Sequence, residues 1–102
     1  MDTSVRGMVG SNPLVIFSRS NCCMSHTVVT LISNFGANPT VYELDQIQNG
    51  QQIERALRQL GYPNVPVVFI GQQLIGGEQQ VMSLHMRKEL VPLLKKAGAI
   101  WL

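Results

Sequence analysis

The stretch Leu14-Val15-Ile16-Phe17-Ser18-Arg19-Ser20-Asn21-Cys22-Cys23-Met24-Ser25-His26 decides how the rest of the chain is read. Its first four residues form a continuous apolar run of strand length, the pattern of a strand covered on both faces. The chain then turns polar. From Ser25 onward, apolar residues recur at Val28, Val29, Leu31, Ile32 and Phe35 with helical spacing, until Gly36 to Pro39 stop the pattern. The two cysteines therefore stand where a strand hands over to a helix. At such a junction backbone N–H groups and the helix dipole favour a thiolate, the form of sulphur that attacks disulfides.

Working outward, Thr40 to Leu44 reads as a second strand, so the segment is a strand–helix–strand unit with a parallel pair and a right-handed crossover. Gly50 to Leu60 is a second amphipathic helix with Ile53, Ala56, Leu57 and Leu60 on one face, ended by Gly61. Val65 to Ile70 is a third strand that carries Pro66 near its start. Gly71-Gln72 fits a two-residue hairpin turn of type II′, after which Gln73 to Ile75 returns antiparallel and Gly76-Gly77 closes the strand. Helical spacing then runs from Glu78 to about Ala97, with a break near Arg87 and Pro92 early in the last segment. Residues 1–12 read as a short helix or an arm. The order β-α-β-α-β-β-α is the thioredoxin arrangement: an α/β fold with a four-stranded mixed sheet flanked by helices, one domain over residues 1–102.

Composition narrows the function classes. Hydrophobic residues are 45% and charged residues 14% of the 102 residues, which describes a globular domain and not a disordered one. A net charge of +2 is too small to imply direct nucleic-acid binding. Arg87, Lys88, Lys95 and Lys96 are read as a solvated helix face. Adjacent cysteines tie no distant segments together, so a disulfide scaffold is not expected and a reducing compartment is favoured. No signal peptide is expected from the first ten residues, and no apolar run approaches the ~20 residues that span a bilayer. The expected setting is cytoplasmic and nuclear, with no membrane partner.

Cys22 is the candidate nucleophile, with Arg19 nearby as a second influence expected to lower its pKa. Ser25 stands where a C-x-x-C site would carry its resolving thiol. A hydroxyl cannot complete that disulfide, but it can hydrogen-bond the Cys22 thiolate; equally, it is a residue suited to a first helical turn. Cys23 points about 100° away around the helix and is expected to react less; a passenger and a regulatory thiol both remain open for it. His26 reads as a partly exposed surface residue. A closed zinc site needs four ligands, which this pair and one nearby histidine do not supply. Val65-Pro66 reads as a proline at a strand start, and Gly76-Gly77 before Glu78 combines close backbone approach with helix N–H groups suited to an anion.

Taken together, Cys22-Cys23-Met24-Ser25, Val65-Pro66, Gly76, Val81-Met82-Ser83-Leu84-His85 and Ala97-Gly98-Ala99-Ile100-Trp101-Leu102 resemble the glutaredoxins over nearly the whole chain, and within them the land-plant CC-type group. The resemblance implies a cis proline at Pro66 beside the active cysteine. It also implies glutathione in a groove formed by Arg19, Asn64, Val65, Pro66, Gly76, Gly77 and Glu78. The glycine carboxylate would meet Arg19, and the γ-glutamyl end the N–H groups after Gly76-Gly77. Asn64 replaces the family's threonine, and Glu78 sets a carboxylate near that of the ligand. The implied activity is monothiol thiol–disulfide exchange on glutathionylated thiols, with Cys22 and Ser25 as catalytic residues. TGA-class bZIP transcription factors are the implied partners, through Ala99-Ile100-Trp101-Leu102. The alternatives are a largely non-catalytic binding module acting on those factors, and a [2Fe–2S] cluster held by Cys22 between two protomers. The protein would be a monomer, or a dimer when cluster-bound.

Overall fold

The computed structural model describes the backbone of residues 3–100 and the burial of side chains from residue 5 to residue 100. In chain order the elements are α1 (Thr3–Gly10), β1 (Leu14–Ser18), α2 (Cys23–Ser33), β2 (Thr40–Glu43), α3 (Gly50–Gln59), β3 (Val67–Ile70), β4 (Gln73–Gly76), α4 (Glu78–Met86) and α5 (Leu90–Lys96). The strands form one sheet in the order β2-β1-β3-β4, with β1 and β2 parallel and the other pairs antiparallel. This is the mixed α/β architecture expected from the element order, and Thr3–Gly10 of the N-terminal segment are a helix.

The apolar runs at Leu14–Phe17 and Val67–Ile70 belong to the two central strands, and both faces of those strands are covered. Leu14, Ile16, Val68 and Ile70 pack with Val28, Ile32, Val81, Leu90 and Leu94 on the face carrying α2, α4 and α5. Val15, Phe17, Val67 and Phe69 pack with Val5, Val9, Ile53, Ala56 and Leu57 on the face carrying α1 and α3. Successive side chains on a strand point to opposite faces, so an unbroken apolar run is what a strand between two helical layers needs. Fully burying a residue such as Phe17 or Phe69 stabilises the fold by roughly 1.5–3 kcal/mol relative to exposure.

The β3–β4 turn departs from the expected type. Gly71 has φ 58° and Gln72 φ 69°, so both central residues are left-handed and the turn is type I′. Type I′ matches the twist of the strands, at the cost of holding Gln72 in a region that glycine enters more easily. The helical run after Glu78 does break at the expected place. Glu89 N donates to Leu84 O (2.8 Å) and Lys88 N to His85 O (3.1 Å), a Schellman closure with Lys88 at φ 61°.

The same closure recurs at the ends of α3 and α5. Tyr62 N donates to Leu57 O and Gly61 N to Arg58 O, with Gly61 at φ 94°, and this turns Tyr62-Pro63-Asn64 back over α3. Ala99 N donates to Leu94 O and Gly98 N to Lys95 O, with Gly98 at φ 77°. That turn folds the C-terminal end inward, and Ile100, 5% exposed, joins the core beside Leu94. Within the Ala99-Ile100-Trp101-Leu102 end, Ala99 packs against the core and Ile100 is part of it. Trp101 and Leu102 lie outside the described residues.

Gly50 opens α3 against the end of β2, where a Cβ would sit 1.8 Å from Leu44 O. Alanine ordinarily favours a helix over glycine by up to about 1 kcal/mol. At this position the clash reverses the sign. Gly50→Ala is expected to destabilise the protein by about 1–3 kcal/mol, read as a lowered midpoint in urea unfolding with an unchanged slope.

Candidate functional site

Cys22 is the N-cap of α2, with extended backbone (φ −100°, ψ 112°), so its side chain sits in front of the open N–H groups of the first turn. The sulphur is half-buried, and its S–H points to Val65 O at 3.9 Å. Strand register explains that neighbour. Phe17 pairs with Val67, so the residues just before β3 lie alongside those just after β1. The Val65-Pro66 peptide is cis, as the resemblance implied.

The Cys22 pKa lies below the ordinary cysteine value of 9.0. The largest cause is the Ser25 hydroxyl, followed by an opposing penalty from burial; the N–H groups of Ser25 and Met24 lower it further, and the charge on Glu43 works against them. Ser25 is 0% exposed, its Oγ has no hydrogen-bond partner among the described residues, and its hydroxyl is the strongest influence lowering the nearby thiol. A buried hydroxyl without a partner is costly, and a thiolate relieves it by accepting the O–H. Ser25 is thus a buried support for the sulphur and does not itself line the groove.

Arg19 is placed differently from expectation. Its guanidinium is ion-paired with Glu54 of α3 and is not among the causes of the thiol's shift. It still lines a groove of about 410 Å³ together with Asn21, Cys22, Leu44, Glu54, Leu57, Arg58, Tyr62, Pro63, Asn64 and Val65. A second hollow of about 370 Å³ adjoins it, sharing Tyr62 to Val65 and adding Met24, Pro66, Gly77, Glu78, Gln79 and Gln80. Six of the seven expected binding residues therefore line these two hollows, of which the first contains Cys22.

Gly76 is the exception. It is buried at the end of β4 with φ 127°, and a Cβ there would come within 2.8 Å of the Gln80 side chain. Its role is backbone geometry and close packing. The Gly77 N–H is already engaged, donating to Gln80 Oε1 at 2.9 Å. An anion at this helix start would therefore meet the N–H groups of Glu78 and its successors.

Sequence reasoning passed over Glu54, Arg58, Tyr62 and Pro63. Arg58 is exposed, lines the groove and has no ion-pair partner among the described residues, while Glu54 neutralises Arg19. The available signal was the i, i+4 spacing of Glu54 and Arg58 on a helix whose C-terminal Gly61 turns the next residues toward the same side. Cys23 is exposed and outside both hollows. His26 is exposed, and its Nε2 lies 3.0 Å from Ser20 O. No group of three or more His, Cys, Asp or Glu side chains suited to a metal occurs among the described residues.

A family model for glutaredoxin matches residues 14–75, from the first residue of β1 to β4. The chain belongs to the glutaredoxin family. Among curated relatives, monothiol glutaredoxin-S6 of Arabidopsis thaliana is 62% identical over 99 residues, covering 96% of this chain and 97% of that protein. Monothiol glutaredoxin-S5 of the same plant is 59% identical over 100 residues, covering 97% and 98%. Among solved structures, the buckwheat glutaredoxin–glutathione complex superposes with a TM-score of 0.93 at 42% identity, covering 96% of this chain and 90% of that one. The holo form of poplar glutaredoxin C1 superposes at 0.89 with 39% identity, covering 95% and 88%. This glutaredoxin thus shares the fold of these relatives.

The pKa direction has a measurable consequence. The rate of Cys22 alkylation should rise with pH to a midpoint below 9.0, because the thiolate reacts. Ser25→Ala removes the largest lowering influence and should move that midpoint upward. The linkage has the same sign: a depressed folded pKa adds stability that is present above the unfolded value and lost as pH falls through the folded one. Iodoacetamide labelling followed by mass spectrometry across pH checks both proteins.

Proposed function

We propose that this glutaredoxin is a glutathione-dependent, monothiol-type thiol–disulfide oxidoreductase. The observation that carries the reading is the pairing of an N-cap thiol of lowered pKa with a buried serine three residues on, beside a groove of about 410 Å³ that contains an arginine with no ion-pair partner among the described residues. The Cys22 thiolate attacks the glutathione sulphur of a protein–glutathione mixed disulfide. The protein thiolate leaves and takes up a proton, and Cys22 keeps the glutathione as its own mixed disulfide. A second glutathione thiolate attacks the bound glutathione sulphur, releasing glutathione disulfide and restoring the Cys22 thiolate. Since Ser25 cannot resolve the intermediate, the second glutathione is obligatory. The relatives named monothiol glutaredoxins and the glutathione bound to the buckwheat protein support this assignment.

Within the groove, Arg58 and Arg19 would receive the glycine carboxylate, Val65 the tripeptide backbone, and the start of α4 the γ-glutamyl end. Arg58 contributes the groove's uncompensated positive charge. In reduction of a glutathionylated peptide, Cys22→Ser should abolish turnover while Cys23→Ser retains it. Arg58→Ala should raise KM for glutathione about tenfold with little change in kcat, the size expected for one charge-assisted contact. Equal rates for wild type and Cys22→Ser would refute the assignment.

The same sulphur supports a second reading. Cys22 is a half-exposed thiolate donor without a second protein thiol positioned to capture it, so it fits as the single protein ligand per protomer of a shared [2Fe–2S] cluster, with glutathione thiols completing the set. Bound there, the cluster would supply electron-transfer or cluster-donation chemistry. Anaerobic reconstitution of wild type and Cys22→Ser distinguishes this reading: a colourless wild-type protein overturns it.

We further propose that the protein is of the CC type, is cytoplasmic and nuclear, and acts on TGA-class bZIP factors, either catalytically or by docking alone. Support comes from the Cys22-Cys23-Met24-Ser25 box and the Ala99-Ile100-Trp101-Leu102 end. Because Ile100 is a core residue, the contact is assigned to Trp101 and Leu102, aromatic and aliphatic anchors suited to an interface. Removal of residues 101–102 should abolish co-precipitation with a TGA factor while leaving the thermal midpoint near that of the full chain; retained binding would refute the contact.

A further inference from the structure

Two side chains from separate segments, Asp45 and His26, converge on Ser20, a residue to which neither the fold nor the exchange chemistry assigns a role. Its N–H donates to Asp45 Oδ1 at 3.1 Å, and its hydroxyl donates to Asp45 Oδ2. Asp45 lies just beyond β2, in the connection to α3. From the other side His26, on the first turns of α2, approaches Ser20 O with Nε2 at 3.0 Å. A carbonyl can only accept, so Nε2 carries the proton in that contact. One residue earlier, Arg19 O accepts from Cys22 N at 3.1 Å, closing the turn that delivers the cysteine to its N-cap position.

Ser20 is exposed, as are Asp45 and His26, and exposed polar loops are ordinarily free to move. Here all three hydrogen-bonding groups of one exposed residue are engaged. The Asp45 carboxyl is correspondingly held below its ordinary range, chiefly by the Ser20 hydroxyl and then by the Ser20 N–H.

We propose that Asp45 is a positioning residue for the exchange reaction: through Ser20 it pins the Arg19–Cys22 turn to the end of the sheet, and so holds Cys22 at the head of α2. The inference rests on the reading of Cys22 as the nucleophile. Asp45 does not itself line either hollow. Its hydrogen bonds go to Ser20, with only a weaker charge interaction toward Arg19, and His26 is the counter-hold on the same residue.

Charge and position make opposite predictions, which allows a clean test. The charged and titratable groups near the sulphur and its turn are Glu43 from β2, Arg19 from the turn, His26 from α2, Glu54 and Arg58 from α3, and Asp45 on Ser20. If Asp45 acted only as one more negative charge near the thiolate, removing it would lower the Cys22 midpoint. If it acts as a clamp, removing it loosens the alignment of Cys22 with the Met24 and Ser25 N–H groups and the midpoint rises.

The experiment measures alkylation of Cys22 against pH in a Cys23→Ser background, for the parent, Asp45→Ala, Asp45→Asn, Ser20→Ala and the Asp45→Ala/Ser20→Ala double variant. Thermal unfolding of each confirms that it is folded. The expected result is an upward shift toward 9.0 in Asp45→Ala and in Ser20→Ala, with no further shift in the double variant, because both changes remove one interaction. Asp45→Asn keeps the shape and an acceptor oxygen without the charge, so it should restore much of the parent midpoint. Should Asp45→Ala fail to fold, the Asn and Ser20 variants still decide the matter. An unchanged or lowered midpoint in Asp45→Ala, or full additivity in the double variant, overturns the clamp while a parent midpoint below 9.0 leaves Cys22 as the nucleophile. A parent midpoint at the ordinary value overturns both.

Discussion

Strands β1 and β3 are hydrogen-bonded to each other with Phe17 opposite Val67, and their side chains are buried on both faces of the sheet. The geometry of the site depends on that register. It sets the segment leaving β1 next to the segment entering β3, and these two segments carry Cys22 and Val65-Pro66. The two core clusters hold the register in place, since a shift by one residue would exchange the side chains of Leu14 and Ile16 with those of Val15 and Phe17 between unlike helical layers. The position of the sulphur beside the Val65 carbonyl is thus a consequence of sheet packing.

Around the sulphur, local and tertiary effects divide the work. The helix start supplies Met24 and Ser25 N–H groups whatever the rest of the molecule does. Burial of Ser25 is different: the hydroxyl is sealed from water by the packing of α2 on the sheet, and this makes the cysteine its natural acceptor. Burial also opposes ionisation, as does Glu43, so the thiol pKa is a balance in which hydrogen bonding prevails. The groove shows a similar division. Glu54 engages Arg19, and the net positive charge falls to Arg58.

Much of this was legible in the chain. The strand–helix junction at Leu14 to His26, the parallel β1–β2 unit, the break near Arg87 and the groove residues Asn64, Val65, Pro66, Gly77 and Glu78 emerge from periodicity, from glycine and proline placement, and from the family resemblance. Three points were misread, each for a local reason. Type I′ and type II′ turns both accept glycine first, so Gly71-Gln72 did not discriminate between them. Gly98 was passed over as a helix stop, although its Schellman closure is what buries Ile100. Arg19 was read against its neighbour in sequence, when its partner Glu54 lies 35 residues away.

The sequence by itself determined the order of elements, the two-faced burial of the central strands and the place of Cys22 at the strand–helix junction. Each of those depends on side-chain period or on neighbours within a helical turn, and such information is written along the chain. Tertiary structure alone decided which charges meet. Arg19 with Glu54, Ser20 with Asp45, and the uncompensated charge of Arg58 in the groove all involve side chains from separate elements. A salt bridge or a charge-assisted hydrogen bond acts over a few ångströms of space with no regard for distance in sequence.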